Sequence, residues 1–173
     1  AAWIFTRTGA VWTQEVSKLV GTGAIGNARQ GTSVSISSDG NTVVIGGTND
    51  NTGIGAAWAF TKSGGVWGQQ GPKLVGSGAV GASAQGIVSI SGDGLTIILG
   101  GSSDNSNTGA VWIFTRSGEL WSQQGAKLVG TGAIGAALQG GAVSLSTDGN
   151  TAIVGGMFDN GGNFGAVWIF TRS

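Results

Sequence analysis

The chain contains no cysteine, histidine or tyrosine, and a single proline among 173 residues. Without cysteine there is no disulfide, no thiolate nucleophile and no zinc–sulfur centre. Charge is scarce as well: eight Lys and Arg face eight Asp and Glu, 9% together with Lys and Arg, for a formal net charge of +0. No basic surplus is available to steer nucleic acid or an anionic membrane surface. Uninterrupted apolar runs reach about five residues, far short of the roughly 18 that suggest a membrane span, so neither a nucleic-acid partner nor membrane insertion is expected. The sequence shows no initiating methionine and no signal peptide, which reads as a mature product or a segment of something longer.

What the chain has in excess is glycine, 36 residues of it, within a composition that is 40% hydrophobic. Glycine without a Gly-X-Y period excludes collagen. Scattered between short apolar runs, it reads as turn punctuation.

Self-comparison exposes the organisation. Trp3, Trp58, Trp112 and Trp168 lie 55, 54 and 56 residues apart, and Trp12, Trp67 and Trp121 follow at 55 and 54. Asp39, Asp93 and Asp148 form one acidic series; Asp50, Asp104 and Asp159 form another. Lys18, Lys73 and Lys127 repeat in step, as do Arg7, Lys62, Arg116 and Arg172. Only Glu15 and Glu119 among the acids, and Arg29 among the bases, stand outside the register. An enzyme places a unique constellation at one spot; here nearly every chemically capable residue is copied, as structural repetition requires.

Each repeat reads as four short strands, A to D. Strand A is 33–37, 88–92 or 142–146; strand B is 42–45, 96–99 or 151–154. Asp-Gly at 39–40, 93–94 and 148–149 marks a hairpin between them. Strand C is 2–7, 56–62, 110–116 or 166–172, and strand D falls near 11–19, 66–74 or 120–128. In strand C, Val111 and Ile113 alternate with Trp112 and Phe114, so both faces are apolar and both need cover. A four-stranded sheet covered on each face by its own copies is a blade. The expected fold is therefore all-β: β-propeller blades, built from three four-stranded antiparallel repeats of about 55 residues. A β-solenoid is the alternative. The whole of 1–173 forms a single array, with partial repeats at 1–30 (strands C and D) and 140–173 (strands A to C) flanking full ones at 31–85 and 86–139.

The ordered succession resembles the FG-GAP repeats of integrin-alpha-type propellers, in a bacterial variant. Gln30-Gly31 resembles the Phe-Gly site, Gly46-Gly47-Thr48 the Gly-Ala-Pro site, and Ala57-Trp58-Ala59-Phe60 the Val-Tyr-Val-Phe strand. The resemblance implies a propeller fold. It does not bring calcium to the A–B loop, which is cut to Ser38-Asp39-Gly40-Asn41 with one carboxylate where Ca²⁺ usually takes six to eight oxygens.

The candidate ligand-binding residues are Asp50, Asn51, Asp104, Asn105, Asp159 and Asn160 in the B–C loops, with Trp12, Trp67 and Trp121. The three Asp of that set are also weak calcium candidates, against the plainer reading of Asx-turns bonding their own backbone. Meander topology puts the B–C and D–A loops on one rim, the expected recognition surface. Trp112 and its equivalents are expected to pack between blades, while Trp12, Trp67 and Trp121 should be partly exposed. Lys-Leu pairs such as Lys73-Leu74 read as a solvated strand face.

No catalytic residue is expected. A glycosidase or lyase would need a carboxylate pair or a metal centre, and Glu15 and Glu119 belong to different repeats. The expected function is a non-catalytic extracellular or cell-surface module for adhesion, ligand binding or assembly. Its expected partners are other copies, through the terminal strands, and a glycan or protein ligand. The alternatives are a structural subunit of a homopolymer or filament, and a lectin-like carbohydrate-binding propeller.

Overall fold

The computed structural model describes residues 1–161 and 164–172, and it is all-β. A hairpin of β1 (Phe5–Thr8) and β2 (Val11–Gln14) comes first. A four-stranded sheet follows, of β3 (Ser33–Ile36), β4 (Thr42–Gly47), β5 (Ala56–Ser63) and β6 (Val66–Gln69). A third sheet repeats it with β7 (Gln85–Ile90), β8 (Thr96–Gly101), β9 (Ala110–Ser117) and β10 (Leu120–Gln123). The fourth holds β11 (Ala142–Leu145), β12 (Thr151–Gly156) and β13 (Ala166–Thr171). Every sheet is an antiparallel meander in chain order. The solenoid alternative would require strands paired in parallel coils; among the described residues parallel pairing occurs only as isolated bridges between sheets, Gly55 to Gln85 and Gly109 to Gln139.

The sheets pack face to face in sequence, and one apolar cluster fills each gap. Ile4, Val43, Ile45, Trp58 and Phe60 join the first sheet to the second. Val44, Ala57, Ile97, Leu99, Trp112 and Phe114 join the second to the third. Ile98, Val111, Ala152 and Val154 join the third to the fourth. The alternation expected in strand C is thus realised in β9: Trp112 and Phe114 face one neighbour and Val111 the other. Serines stitch adjacent sheets along their first strands, where Ser35 Oγ accepts from the Ile90 N–H at 3.2 Å and Ser89 Oγ from the Leu145 N–H at 3.2 Å.

The fourth strand of each repeat is shorter than expected. β6 stops at Gln69, and the chain bulges out through Gly71 (φ 73°) and Pro72, which has no N–H to give a ladder. It rejoins the sheet at Leu74, which bridges Ala57 with hydrogen bonds of 2.7 and 2.9 Å. The bulge overturns the reading of Lys73-Leu74 as a solvated face. Leu74 is buried, and the displaced Lys73 reaches a buried carboxylate. In the third repeat the first strand runs from Gln85 to Ile90, three residues ahead of its expected start, with a register shift between Gln85 and Ile87.

Candidate functional site

The loops between the second and third strands of each repeat and the glycine-rich connections meet on one rim, as meander topology requires. Asp50 and Asp104 open two single turns, α1 (Asp50–Gly53) and α2 (Asp104–Asn107), in which Asn51 and Asn105 adopt φ of 47° and 48°. Both carboxylates are fully buried. Asp50 Oδ1 accepts the Ile25 N–H at 2.7 Å, and Oδ2 pairs with Lys73 Nζ. Asp104 repeats the arrangement, taking the Val80 N–H at 2.6 Å and Lys127 Nζ at 2.5 Å. The plainer reading of these aspartates as local Asx-turns therefore misplaces their partners. They tie the turn to the connection leaving the preceding sheet, some 25 residues away in sequence.

This geometry bears on the calcium candidates. In Asp50 and Asp104 each carboxylate oxygen already has a donor, and the adjacent ammonium opposes a second cation. Asp159 keeps only the first half of the pattern: Oδ1 accepts the Ile134 N–H at 2.7 Å, and no lysine pairs with it among the described residues. Among the described residues no three His, Cys, Asp or Glu side chains gather as a metal-binding group.

Beside these aspartates the rim is open. Asn51, Asn105 and Asn160 donate their backbone N–H to the carbonyls of Ile25, Val80 and Ile134 at 2.9, 3.0 and 3.0 Å. Those three aliphatic side chains are 52%, 54% and 60% exposed. Each repeat thus displays one asparagine against one exposed aliphatic residue. The sequence reading named the asparagines and passed over Ile25, Val80 and Ile134. Their signal in the sequence is the recurring Gly-Ala-Ile-Gly or Gly-Ala-Val-Gly of the glycine-rich connections.

The tryptophans divide as their positions dictate. Trp58, Trp112 and Trp168 donate Nε1–H to the carbonyls of Thr22, Ser77 and Thr131 at 2.8, 2.7 and 2.9 Å. Trp67 and Trp121 pack against the clusters between sheets, with Nε1 buried and without a hydrogen-bond partner among the described residues. Trp12 alone of its series stands out, 63% exposed, with the Arg7 guanidinium 6.0 Å from its ring centre.

The opposite rim carries the hairpin aspartates. Ser37 Oγ and the Asn41 N–H both donate to Asp39, and Ser146 Oγ and the Asn150 N–H do the same to Asp148. These bonds, the serine hydroxyl's foremost, hold both carboxyls below the ordinary value of 3.8. Glu15 forms an ion pair with Lys62, while Glu119 lies beyond β9 in the turn to β10, where its backbone carbonyl accepts from Gln70 at 3.0 Å.

No protein-family model matches the chain, and no curated protein matches it. Among solved structures, the crystal structure of TolB from Acinetobacter baumannii aligns with 94% of this chain at 15% identity and a TM-score of 0.44. The chain spans 35% of that protein's length.

Proposed function

We propose that the chain is a run of β-propeller blades serving as a non-catalytic extracellular module for adhesion, ligand binding or assembly. The observation that carries this reading is the repeated rim: one exposed aliphatic residue whose backbone carbonyl accepts the backbone N–H of one asparagine, in three successive repeats. A surface that offers the same small apolar-and-amide feature at regular spacing suits a repetitive or extended partner, because several weak contacts add through avidity. The order of sheets, each an antiparallel meander packed on the next, supports the propeller form, and the FG-GAP resemblance accords with it. The acidic series supports a non-catalytic role, since Asp50 and Asp104 are consumed by lysine and backbone partners.

The test is binding of the chain to a glycan array and to immobilised cell-surface glycoproteins. Replacing Ile25, Val80 and Ile134 together by Ser should weaken any binding at least tenfold while leaving the β-sheet circular dichroism unchanged. Undiminished binding would remove the rim from the proposal.

A further inference from the structure

The turn after the second strand of each repeat carries Asp-Asn, but the residue that follows differs. It is Thr52 in one repeat, Ser106 in the next and Gly161 in the last. No other asparagine of the chain precedes glycine. The pair matters chemically, because the backbone nitrogen that follows an asparagine can attack its side-chain amide, which makes asparagine thermolabile. A side chain on the attacking residue hinders that approach, and glycine has none.

The turns differ in closure as well. In α1 the Gly55 N–H donates to the Asp50 carbonyl at 2.9 Å, and the Ile54 N–H to that of Asn51 at 3.3 Å. α2 repeats both bonds, from Gly109 to Asp104 at 2.9 Å and from Thr108 to Asn105 at 3.2 Å. The last turn has one residue more between its aspartate and the glycine that leads into the third strand, here Gly165. Among the described residues no bond joins Gly165 to Asp159. Asn160 is exposed, as Asn105 is in a complete repeat, so exposure belongs to the position itself.

We propose that Asn160-Gly161 is a site of spontaneous deamidation, at which an amide of the rim becomes a carboxylate. The Gly161 nitrogen bonds to Cγ of Asn160, the Cγ–Nδ2 bond breaks, and the proton released from the glycine nitrogen leaves with the amide as ammonia. The product is a cyclic succinimide. Water then adds to one of its two carbonyls. Opening at Cγ gives aspartate; opening at the main-chain carbonyl gives isoaspartate, whose backbone runs through the side-chain carbon. Water is the only co-reactant, and nothing is oxidised or reduced. The reaction needs only the turn, so it stands apart from ligand binding. Its consequence falls on the rim, where a chain of formal net charge +0 gains a negative charge next to the exposed Ile134.

The Asp-Gly hairpins have the same elements, with water as the leaving group, but their geometry opposes the reaction. Gly40, Gly94 and Gly149 donate their N–H to the carbonyls of Ser37, Ser91 and Ser146 at 3.0, 3.0 and 2.9 Å. The carboxylates accept from the hydroxyls of the same serines and from the N–H of the residue after each glycine. Both reacting groups are thus occupied in the fold.

The test is to incubate the folded chain at neutral pH and physiological temperature, then map its peptides by mass spectrometry and count isoaspartate by enzymatic methylation. Acid should accumulate at position 160 at least about tenfold faster than at Asn51 or Asn105. Gly161→Ser gives the last turn the Asn-Ser pair of α2, where Ser106 already adopts a φ of 56°, against 74° for Gly161. It should slow conversion at Asn160 by a similar factor. Ser106→Gly asks the same question in a complete repeat, whether or not the first variant folds, and should raise conversion at Asn105 above the wild-type rate. In guanidinium the hairpin aspartates should begin to isomerise while Asn160 continues to react. An unmodified Asn160, equal conversion at the three asparagines, or hairpin isoaspartate ahead of Asn160 in the folded chain would overturn the assignment. Unchanged rates in both glycine–serine exchanges would do the same.

Discussion

The indole of Trp112 lies on the backbone of Gly76, so close that a Cβ on that glycine would stand 2.2 Å from the ring atom Cγ. The same contact joins Trp58 to Gly21 and Trp168 to Gly130, at 2.1 Å to the nearest ring atom. Each indole then donates to the carbonyl of the residue after its glycine.

Gly76→Ala should therefore act as an overpacking substitution. Trp112 is fully buried and its neighbours hold it in place. The expected loss is about 2–3 kcal/mol of unfolding free energy, in the upper part of the usual range for added core atoms. Gly68→Ala is the control, since a Cβ there meets nothing within 4 Å. It should change stability by less than about 0.5 kcal/mol. Equal effects from the two substitutions in urea unfolding would argue against the stacked contact.

The Asp104–Lys127 pair should behave as a buried ion pair. Asp104→Asn keeps an acceptor for the Val80 N–H but leaves Lys127 without its counter-charge. Lys127 is 21% exposed, which admits some water. The cost should thus lie near the low end of the buried-pair range, about 3 kcal/mol. Lys127→Met should cost a similar amount, and the double variant less than the sum of the two. A coupling energy above about 1 kcal/mol in the cycle is expected; strict additivity would deny the pair any role.

Gln85 makes a paired contact that its charged analogue cannot. Its amide accepts from Gly76 N–H at 2.5 Å and donates to Gly76 carbonyl at 3.1 Å. In Gln85→Glu a buried carboxylate would face that carbonyl with no proton to donate. Burial raises the folded-state pKa of the new group above its unfolded value of about 4.3. Its protonated form is thus the one compatible with folding, fully so below about pH 4, and stability is lost as pH rises through the raised value. The variant should melt closest to wild type near pH 4 and furthest below it at pH 7. A gap in melting temperature that ignores pH would contradict this.

Asp148 should show the opposite sign. Its folded-state carboxyl lies below 3.8, held there by Ser146 and Asn150. The stabilisation is present above the unfolded value of about 3.9 and disappears as pH falls through the folded one. Asp148→Asn should therefore flatten the acid limb of a melting curve recorded from pH 6 to pH 2. The same applies to Asp39→Asn. An unchanged acid limb would mean that these hairpins contribute nothing to acid sensitivity.

The strand order and the alternating faces of strand C were legible in the sequence because they depend on local facts. Asp-Gly sets a hairpin wherever it occurs, and the period of two in Val111-Trp112-Ile113-Phe114 assigns faces without knowledge of the neighbours. The rim was legible too, since a meander puts alternate loops on the same side. The burial of Asp50 was not. Its partners are Ile25 and Lys73, 25 residues before it and 23 after. No local pattern announces a pairing that exists only once two sheets are stacked.

The sequence by itself determined the repeat, the all-β meander and the near absence of unrepeated chemistry, because period, turn residues and composition are properties of the chain alone. Tertiary structure decided which copies are satisfied. Trp67 and Trp121 pack against the clusters between sheets and Trp12 is exposed; Asp50 and Asp104 have lysines and Asp159 has none among the described residues. Identical residues differ in this way because what each one buries or neutralises is supplied by the neighbouring sheet, and the sheets at the two ends have a neighbour on one side only.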